Sequence, residues 1–407
     1  MDVMTENKVM PKLRFGDFQD EWTSNSFGEL LISSRLGGNY ANSESPTENP
    51  LIKMGNLGRG NISINKVMYI EQGETLDNKD LIEYGDLFFN TRNTLDLVGK
   101  VAIWKNELSR AFYNSNLMYI KFDNNFFMNY RLNSFEGIKG LRRLATGTTS
   151  VAAVYTKDLL KLKLTVPSLP EQQKIASFLS SVDKKLQQLT KKKELLKKYK
   201  KGVMQKIFSE ELRCKDEFGN NYPNWEEKKL GEELEHKSVR NKSNQVDLVL
   251  SVSNKKGFIS QQEQFDGHQV ASKDVTNYKV VNKGEYAYNP SRINVGSIAR
   301  LDDFEKGIVS PMYVIFRLKN NLNSIFFDAL YSSHRFKYLI KIGCSGSVRD
   351  SLNFDEMEKF DIKLPCIEEQ QKIANFLSSL DSKIDLVSTQ IENTKAFKKG
   401  LLQQMFV

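Results

Sequence analysis

The string "EQQKIASFLSS" at residues 171–181 recurs as "EQQKIANFLSS" at residues 369–379, with one substitution and an offset of 198 positions. Apolar residues recur in both strings with helical spacing, and Pro170 lies just before the first string. Similarity at a fixed offset is typical of a chain built from repeated structural units. The sequence therefore predicts two long helices of common design.

The repeat extends far beyond these helices. The further matches are "KKGVMQKIF" (200–208) with "KKGLLQQMF" (398–406), "GDLFFNTRN" (85–93) with "GEYAYNPSR" (284–292), and "LIKMGNLGRGNI" (51–62) with "LVLSVSNKKGFI" (248–259). The 407 residues thus form two diverged copies of one unit, each a variable domain followed by a helix. The predicted boundaries are 1–165 and 211–363 for the variable domains, and 166–210 and 364–407 for the helical regions.

Both helices carry a seam of apolar residues at alternating spacings of four and three, which is typical of a coiled coil. In each helix eight of ten seam positions are apolar. An amphipathic helix packed on its own domain is the alternative interpretation. The clearest seam residues are Ile175, Leu179, Val182, Leu186 and Leu189 in the first helix, and Ile373, Leu377, Leu380, Ile384 and Val387 in the second.

The seam also favours an antiparallel pairing. In a parallel register Lys200 would face Lys398 across an apolar contact, which is unfavourable for two ammonium groups. The 38 residues of 171–208 would extend about 57 Å, equivalent to about 17 base pairs of duplex DNA. Gly202 and Gly400 lower helix propensity, so we expect a close approach, a bend or a partner contact there.

Each variable domain is predicted to mix strands and helices, which gives an α+β fold class overall. Short β-rich runs such as "LIKM", "VMYI", "DLFF", "VAIW" and "LMYIKF" precede a helix expected near residues 126–145. The expected architecture is two mixed α/β domains separated by an intramolecular antiparallel coiled coil, with pseudo-two-fold internal symmetry.

Composition indicates a cytoplasmic protein with an anionic partner. The net charge is +9 at a pI of about 9.1, and residues 170–208 alone carry eleven Lys against three acidic residues. No stretch is long and apolar enough for a membrane span, and the three Cys and three His are scattered without the spacing of a disulfide framework or a zinc site. The Lys-rich helix suits either DNA or a protein partner.

The order of variable domain, "EQQKIA" helix ending in "KKG", variable domain and second such helix resembles the specificity subunit of type I restriction-modification systems. The resemblance covers nearly the whole chain. It implies two target-recognition domains that each read half of a bipartite double-stranded DNA site. It also implies two methyltransferase subunits that carry S-adenosylmethionine, endonuclease subunits that use ATP and Mg²⁺ in the full complex, and no cofactor on this chain.

The residues themselves give little sign of catalysis. "MGNLGRG" (54–60) lacks the spacing of a nucleotide-cofactor loop, and "NPSR" (289–292) lacks the second proline and the aromatic of an amino-methyltransferase motif. Asp350, Asp355 and Asp361 could hold Mg²⁺ in a nuclease, but the first copy has "KLK" in place of "DIK". We expect a non-catalytic, metal-free subunit, and the alternative function is a coiled-coil scaffold that binds proteins without DNA specificity.

Candidate DNA-binding residues are chosen by chemistry and by the repeat. Arg or Lys reads guanine and Asn or Gln reads adenine, whereas cations, hydroxyls and backbone amides bind phosphate. The candidates are Arg35, Asn56, Arg59, Asn90, Arg92, Asn93, Thr148 and Thr149 in the first copy, and Arg240, Asn254, Lys255, Lys256, Arg292, Asn294, Ser347 and Arg349 in the second.

Overall fold

The computed structural model describes residues 10–254, 256–261, 274–344 and 351–407. The chain folds into two compact units. The first comprises the described part of Met1–Thr190 together with Thr389–Val407, and the second comprises the described part of Lys191–Ser388. Each unit therefore contains one variable domain, the beginning of its own long helix and the end of the other long helix.

Short strands dominate the first unit, and they form four sheets in the orders β2-β10-β6-β8, β3-β5-β4-β9, β11-β12-β7 and β1-β13. All pairings are antiparallel except that of β4 with β9. The strands are β1 Thr23–Ser26, β2 Ser33–Leu36, β3 Asn42–Ser43, β4 Pro50–Ile52, β5 Met68–Ile70, β6 Leu87–Asn90, β7 Arg92–Asn93, β8 Val101–Ile103, β9 Phe112–Tyr113, β10 Leu117–Lys121, β11 Thr146–Gly147, β12 Ala152–Ala153 and β13 Lys163–Val166.

The helix predicted near residues 126–145 is two helices. The short helices of this unit are α1 Phe27–Leu30, α2 Asn125–Leu132, α3 Phe135–Arg143 and α4 Thr156–Leu159, and the single-turn 3-10 helices are Met54–Asn56 and Asn78–Asp80. The break falls at Ser134, whose hydroxyl accepts a hydrogen bond from the Gly137 amide and caps α3. A Cβ on Gly137 would lie 2.2 Å from the Arg131 carbonyl oxygen, so glycine permits the sharp turn between the helices.

The second unit repeats the four-stranded sheet β2-β10-β6-β8 and the two-stranded sheet β1-β13 of the first unit. Its sheets have the orders β15-β22-β19-β20, β14-β23, β16-β17 and β18-β21, all antiparallel. The strands are β14 Glu226–Lys229, β15 Leu234–Lys237, β16 Leu250–Ser253, β17 Gly257–Ser260, β18 Lys279–Asn282, β19 Tyr286–Tyr288, β20 Ile298–Arg300, β21 Lys306–Val309, β22 Val314–Leu318 and β23 Asp361–Leu364. The helices are α5 Leu169–Phe208, which begins in the first unit, α6 Ser324–Ser332, α7 His334–Cys344, α8 Phe354–Met357 and α9 Ile367–Gln404, with 3-10 helices at Leu230–Glu233 and Pro290–Val295.

The two long helices, α5 and α9, pack together antiparallel, as predicted. In the first unit, Ile175 and Leu179 of α5 share a core with Leu401 and Met405 of α9. In the second unit the roles are exchanged, and the end of α5 packs with the start of α9. Of the ten named seam residues, Leu186 is half-buried and the other nine are buried. Burying each such side chain contributes about 1.5–3 kcal/mol, which accounts for the stability of the pairing.

Two lysines at seam positions, Lys200 and Lys398, are each paired with an aspartate of the other helix. Lys398 lies 2.5 Å from Asp183 in the first unit, and Lys200 lies 2.5 Å from Asp381 in the second. The offset of 198 positions relates the two pairs, so the same ion pair is built twice. The antiparallel register thus gives each ammonium group a carboxylate partner where a parallel one would oppose two cations.

The beginning of each long helix is held by a buried carboxylate. Glu171 accepts hydrogen bonds from Nε and Nη2 of Arg14, at 2.8 and 2.7 Å, and one from Nε1 of Trp22 at 3.4 Å. Arg14 precedes Glu171 by 157 residues and Trp22 precedes it by 149 residues, so these charge-assisted bonds join distant parts of the sequence. The pKa of the Arg14 guanidinium is raised, above all by its hydrogen bond to Glu171. The fold therefore uses this acid as an anchor for the domain as well as a favourable charge at a helix N-terminus.

Gly202 and Gly400 do not mark a close approach within the chain. Along the described residues, a Cβ added to either glycine would meet no atom within 4 Å, apart from the backbone of its own helix. Of the expected explanations, a close contact with another part of this chain is therefore wrong.

Candidate nucleic-acid interface

The segment that follows β6 and the turn before β12 form one small sheet in the first unit. β7 pairs with β12, which places Arg92 opposite Ala153 and Asn93 opposite Ala152, and β12 in turn pairs with β11. Beyond the sheet, the Leu95 amide donates a hydrogen bond to the Thr149 carbonyl at 3.1 Å. Two loops that were chosen separately from the sequence therefore lie side by side.

The turn over residues 148–151 is tight and faces solvent. The Thr148 amide donates to the Val151 carbonyl at 2.8 Å, and the Val151 amide donates to the Thr148 hydroxyl at 3.3 Å. Gly147 has a φ of +129°, and a Cβ there would lie 2.3 Å from the Val151 carbonyl oxygen. Thr148 and Thr149 are exposed, so their hydroxyls and nearby amides can reach an anionic ligand.

The third candidate loop joins the same group. Arg59 donates from Nη2 to the Asp96 carbonyl at 3.3 Å, and the Gly60 amide donates to the Val101 carbonyl at 2.7 Å. Asp96 lies in the loop that follows β7. The structure thus brings Arg59, Arg92 and the turn at Thr148 onto one surface of the first unit.

Two predicted candidates serve the loops instead of facing solvent. Asn56 is 6% exposed, accepts a hydrogen bond from the Lys53 amide, and donates to the carbonyls of Ser63 and Lys66. Asn90 is fully buried and accepts from the Arg92 amide at 3.3 Å. Sequence patterns identified them as polar loop residues, whereas burial makes them structural supports for Arg59 and Arg92.

The Arg35 and Asn93 side chains are held by different numbers of local contacts. The Arg35 guanidinium lies 5.5 Å from the ring centroids of both Tyr113 and Tyr119, and 3.4 Å from Asp80, so local contacts already hold it. Asn93 is half-buried, and its side-chain oxygen accepts a hydrogen bond from the Thr94 amide at 2.8 Å. This hydrogen bond holds the Asn93 side chain in place and does not involve its side-chain amide nitrogen.

In the second unit the candidate segments also meet. Arg292 and Asn294 are exposed on the 3-10 helix Pro290–Val295, which ends at Gly296 with a φ of +91°. A Cβ on Gly296 would lie 3.8 Å from the Asn254 Cβ. The turn that carries Asn254 and exposed Lys256 is thus adjacent to the helix that carries Arg292, as their counterparts are in the first unit.

The remaining candidates of this unit fall into two groups. Arg240 is exposed and donates from Nη1 to the Asn277 side-chain oxygen at 3.1 Å. Lys255, Ser347 and Arg349 lie outside the described residues. The Leu352 amide donates a hydrogen bond to the carbonyl of Pro290, at the start of the 3-10 helix that carries Arg292, at 3.2 Å.

Two cations near the first group were not among the candidates. Lys100 lies just before β8, and Arg142 lies in the last turn of α3. Burial lowers the pKa of Lys100, as does the nearby Arg59. The signals in the sequence are the basic run "LRR" at 141–143 and the Gly99-Lys100 step.

The two described aspartates that were considered for nuclease chemistry, Asp355 and Asp361, have different surroundings. Asp361 forms an ion pair with Lys229, Asp355 is exposed in α8, and Asp350 lies outside the described residues. In the part of the chain that is described, no group of three His, Cys, Asp or Glu is arranged to hold a metal ion. Over the same residues, no helix has both the length and the apolar character to cross a membrane.

Comparisons with known proteins cover both copies of the repeat. A family model described as the type I restriction modification DNA specificity domain matches residues 20–198 and 223–395. A protein of Methanocaldococcus jannaschii assigned as the MjaX specificity subunit of a type I restriction enzyme is 24% identical over 412 residues, spanning 96% of this chain and 94% of that protein. The HindI specificity subunit of Haemophilus influenzae is 29% identical over 134 residues, which are 32% of this chain and 29% of that protein.

Solved structures show the same fold. The type I restriction-modification S subunit from M. genitalium aligns with a TM-score of 0.60 at 16% identity, covering 98% of this chain and 99% of that chain. A chain from a structural study of complex assembly and conformational transition of the type I restriction-modification system aligns with a TM-score of 0.52 at 14% identity, covering 94% and 96%.

Proposed function

The chain belongs to the type I restriction-modification DNA specificity family, and on that premise we propose that each of its two variable domains reads one half of a bipartite DNA site. The observation that supports this proposal is the duplicated arrangement of loops. Arg92 lies beside the Arg59 loop in the first unit, and Arg292 lies beside the Asn254 turn in the second. Because the two domains have diverged, the two halves of the site would differ in sequence.

Exposed Arg and Asn side chains suit base reading at these loops. Arg92 is exposed at the end of a short strand, and Arg292 and Asn294 are exposed on a single turn of helix. An arginine can donate two hydrogen bonds to guanine in the major groove, and an asparagine can pair with adenine. The hydroxyls of Thr148 and Thr149 would hold the phosphate backbone and fix the register of the reading residues.

The paired long helices would set the number of base pairs left unread between the half-sites. A buried apolar seam and the Lys200–Asp381 and Lys398–Asp183 ion pairs join the two antiparallel helices, so we expect them to act as a stiff spacer. A stiff spacer permits only one separation of the two reading surfaces, because changing it would break the seam. The gap is therefore expected to be constant for this chain.

The partners would be methyltransferase subunits, and through them the endonuclease. The long helices expose large apolar side chains, among them Leu195, Tyr199, Leu386 and Phe397. Such residues on a long helix suit a protein surface better than DNA. S-adenosylmethionine would be carried by the methyltransferase, and ATP and Mg²⁺ would be used by the endonuclease, so this chain would supply sequence specificity without a cofactor of its own.

Mapping methylated adenines in a genome that carries this chain and its methyltransferase partner tests the proposal. The expected result is one motif of two unlike halves around a fixed gap of unspecified bases. A single uninterrupted motif would contradict reading in two halves. If no motif depended on this chain, the alternative of a protein-binding scaffold without DNA specificity would be favoured instead.

A further inference from the structure

Three cations from three separate segments lie together in the first unit. Arg59 comes from the loop before β5, Lys100 precedes β8, and Arg142 ends α3. The Gly60 amide donates to the Val101 carbonyl at 2.7 Å, which brings Arg59 next to Lys100. A Cβ on Gly99 would lie 3.3 Å from the Leu141 Cβ, which brings Lys100 next to the last turn of α3. We refer to Arg59, Lys100 and Arg142 as the cation cluster.

Little negative charge within the unit balances the cation cluster. Arg142 lies 4.0 Å from the Asp96 carboxylate, whose side chain is 92% exposed, so solvent screens the pair. Arg59 bonds the Asp96 main-chain carbonyl, which carries no net charge. Among the described residues, Lys100 forms no ion pair. The cluster therefore gathers three cationic side chains, and the one acidic partner that the described residues give it, Asp96, is exposed.

The cations also disfavour one another. Burial lowers the pKa of the Arg59 guanidinium, and the neighbouring Arg142 lowers it further. Burial and then Arg59 lower the pKa of Lys100 in the same way. Folding thus assembles like charges in a partly desolvated position, and an anion placed among them would relieve this repulsion.

The position of the cation cluster identifies the anion. The Asn90 amide donates to the Lys100 carbonyl at 2.8 Å, and the Gly99 amide donates to the Asn90 carbonyl at 3.1 Å. Lys100, just before β8, therefore lies opposite Asn90, which precedes Arg92 by two residues. An anion that contacts both the cluster and the reading loops must be extended and repeatedly charged, which describes the sugar-phosphate backbone of DNA.

The internal repeat preserves the cluster only in part: the match of 51–62 with 248–259 aligns Arg59 with Lys256, whereas Lys100 has no cationic counterpart. In "VGK" (98–100) and "VGS" (295–297), Lys100 corresponds to Ser297. Ser297 is buried, and its hydroxyl donates to the Val252 carbonyl at 3.0 Å. The second unit thus uses this position for internal packing, whereas the first presents a cation.

We infer that Arg59, Lys100 and Arg142 bind backbone phosphates beside the half-site that the first domain reads, and that the contact made by Lys100 has no counterpart in the second domain. The inference rests on the proposed function. It separates the roles of neighbouring side chains: the cluster holds the duplex independently of its sequence, while Arg92 contacts bases.

The test measures DNA binding by the complex of this chain with its methyltransferase subunits, on a duplex that carries the mapped site, across about 50–200 mM salt. Lys100→Gln and Arg142→Gln should each weaken binding and reduce the slope of log K against log salt by about 0.9, the value for one phosphate contact. Preference for the correct site over a duplex altered in the first half should stay unchanged. Lys100→Arg and Arg142→Lys, which keep the charge, should retain the wild-type slope.

Exposed Lys161 provides a control for the loss of one charge elsewhere in the unit, and Lys161→Gln should leave the slope near that of wild type. Wild-type slopes in both Gln variants would overturn the inference while leaving reading in two halves intact. A Gln variant that loses site preference but keeps its slope would also overturn it, because the side chain would then read bases. If the wild-type complex showed no preference for a split site, the proposed function itself would fail.

Discussion

The Arg213 guanidinium donates two hydrogen bonds to the fully buried Glu369 carboxylate, from Nε to Oε1 at 2.9 Å and from Nη2 to Oε2 at 2.7 Å. Trp225 adds a third from its indole nitrogen at 3.2 Å. This arrangement repeats that of Arg14, Trp22 and Glu171 in the first unit. The start of each long helix is thus tied to the segment that opens its own domain.

Replacing Glu369 by Gln should destabilise the second unit. The change removes the negative charge that Arg213 bonds, and because Arg213 keeps some contact with solvent we expect a cost of about 1–3 kcal/mol. Thermal unfolding should show a lower midpoint for Glu369→Gln, and Glu368→Gln, altered at an exposed neighbour, should stay within about 0.5 kcal/mol of wild type. Equal stability of the two variants would show that the pair contributes little.

Arg92→Ala and Arg292→Ala should each damage recognition of a different half-site. Loss of a bidentate contact to guanine costs about 1–3 kcal/mol in discrimination, so each variant should tolerate substitutions in one half and remain selective in the other. The measurement is methylation of duplexes that carry single substitutions across the mapped site. Unchanged patterns in both variants would remove these arginines from the reading set.

Gly202→Ala and Gly400→Ala should stabilise the isolated chain. Alanine is favoured over glycine in a helix by about 1 kcal/mol, and the added methyl group meets no neighbouring atom outside its own helix in the described structure. If the methyltransferase packs closely against these positions, the same variants should bind it less tightly. Unfolding curves and titration with the purified methyltransferase separate the two effects. Unchanged association would leave the glycines without a role in docking.

Lengthening both long helices should widen the unread gap. Seven residues that continue the apolar seam, inserted after Thr190 in α5 and after Ser388 in α9, add about 10 Å to the pair. The motif should then keep both half-sites and gain about three base pairs between them. Insertion in α5 alone should break the seam and abolish methylation. A lengthened chain that kept the original gap would show that the helices do not set it.

The seam was predictable because helical periodicity is written in consecutive residues, and the burial of Leu179 and Leu377 follows directly from it. The partners of Lys200 and Lys398 were not, since which aspartate faces each lysine depends on the register between helices far apart in sequence. The break at Ser134 was missed for a related reason, because a serine within a helical pattern reads as an ordinary polar residue until its capping bond is seen.

The loop residues show a second limit. Asn56 and Arg59 look alike as polar groups in a glycine-rich segment, yet one is buried beneath the loop and the other lies on it. The residue types in the sequence identify the loop, but they do not show which of its side chains face solvent. Lys100 was not predicted as a DNA-binding residue, because Arg59 and Arg142 are distant from it in sequence and only the fold brings them near.

The core of each unit is completed by a segment from the opposite copy of the repeat. Leu401 and Met405 fill the first core at the place where, by the repeat, Val203 and Ile207 fill the second. A polypeptide ending after residue 208 would therefore lack the segment that its own domain needs, yet it would carry an equivalent one to offer another molecule. Two identical halves could complete one another by exchange, as in a symmetric homodimer.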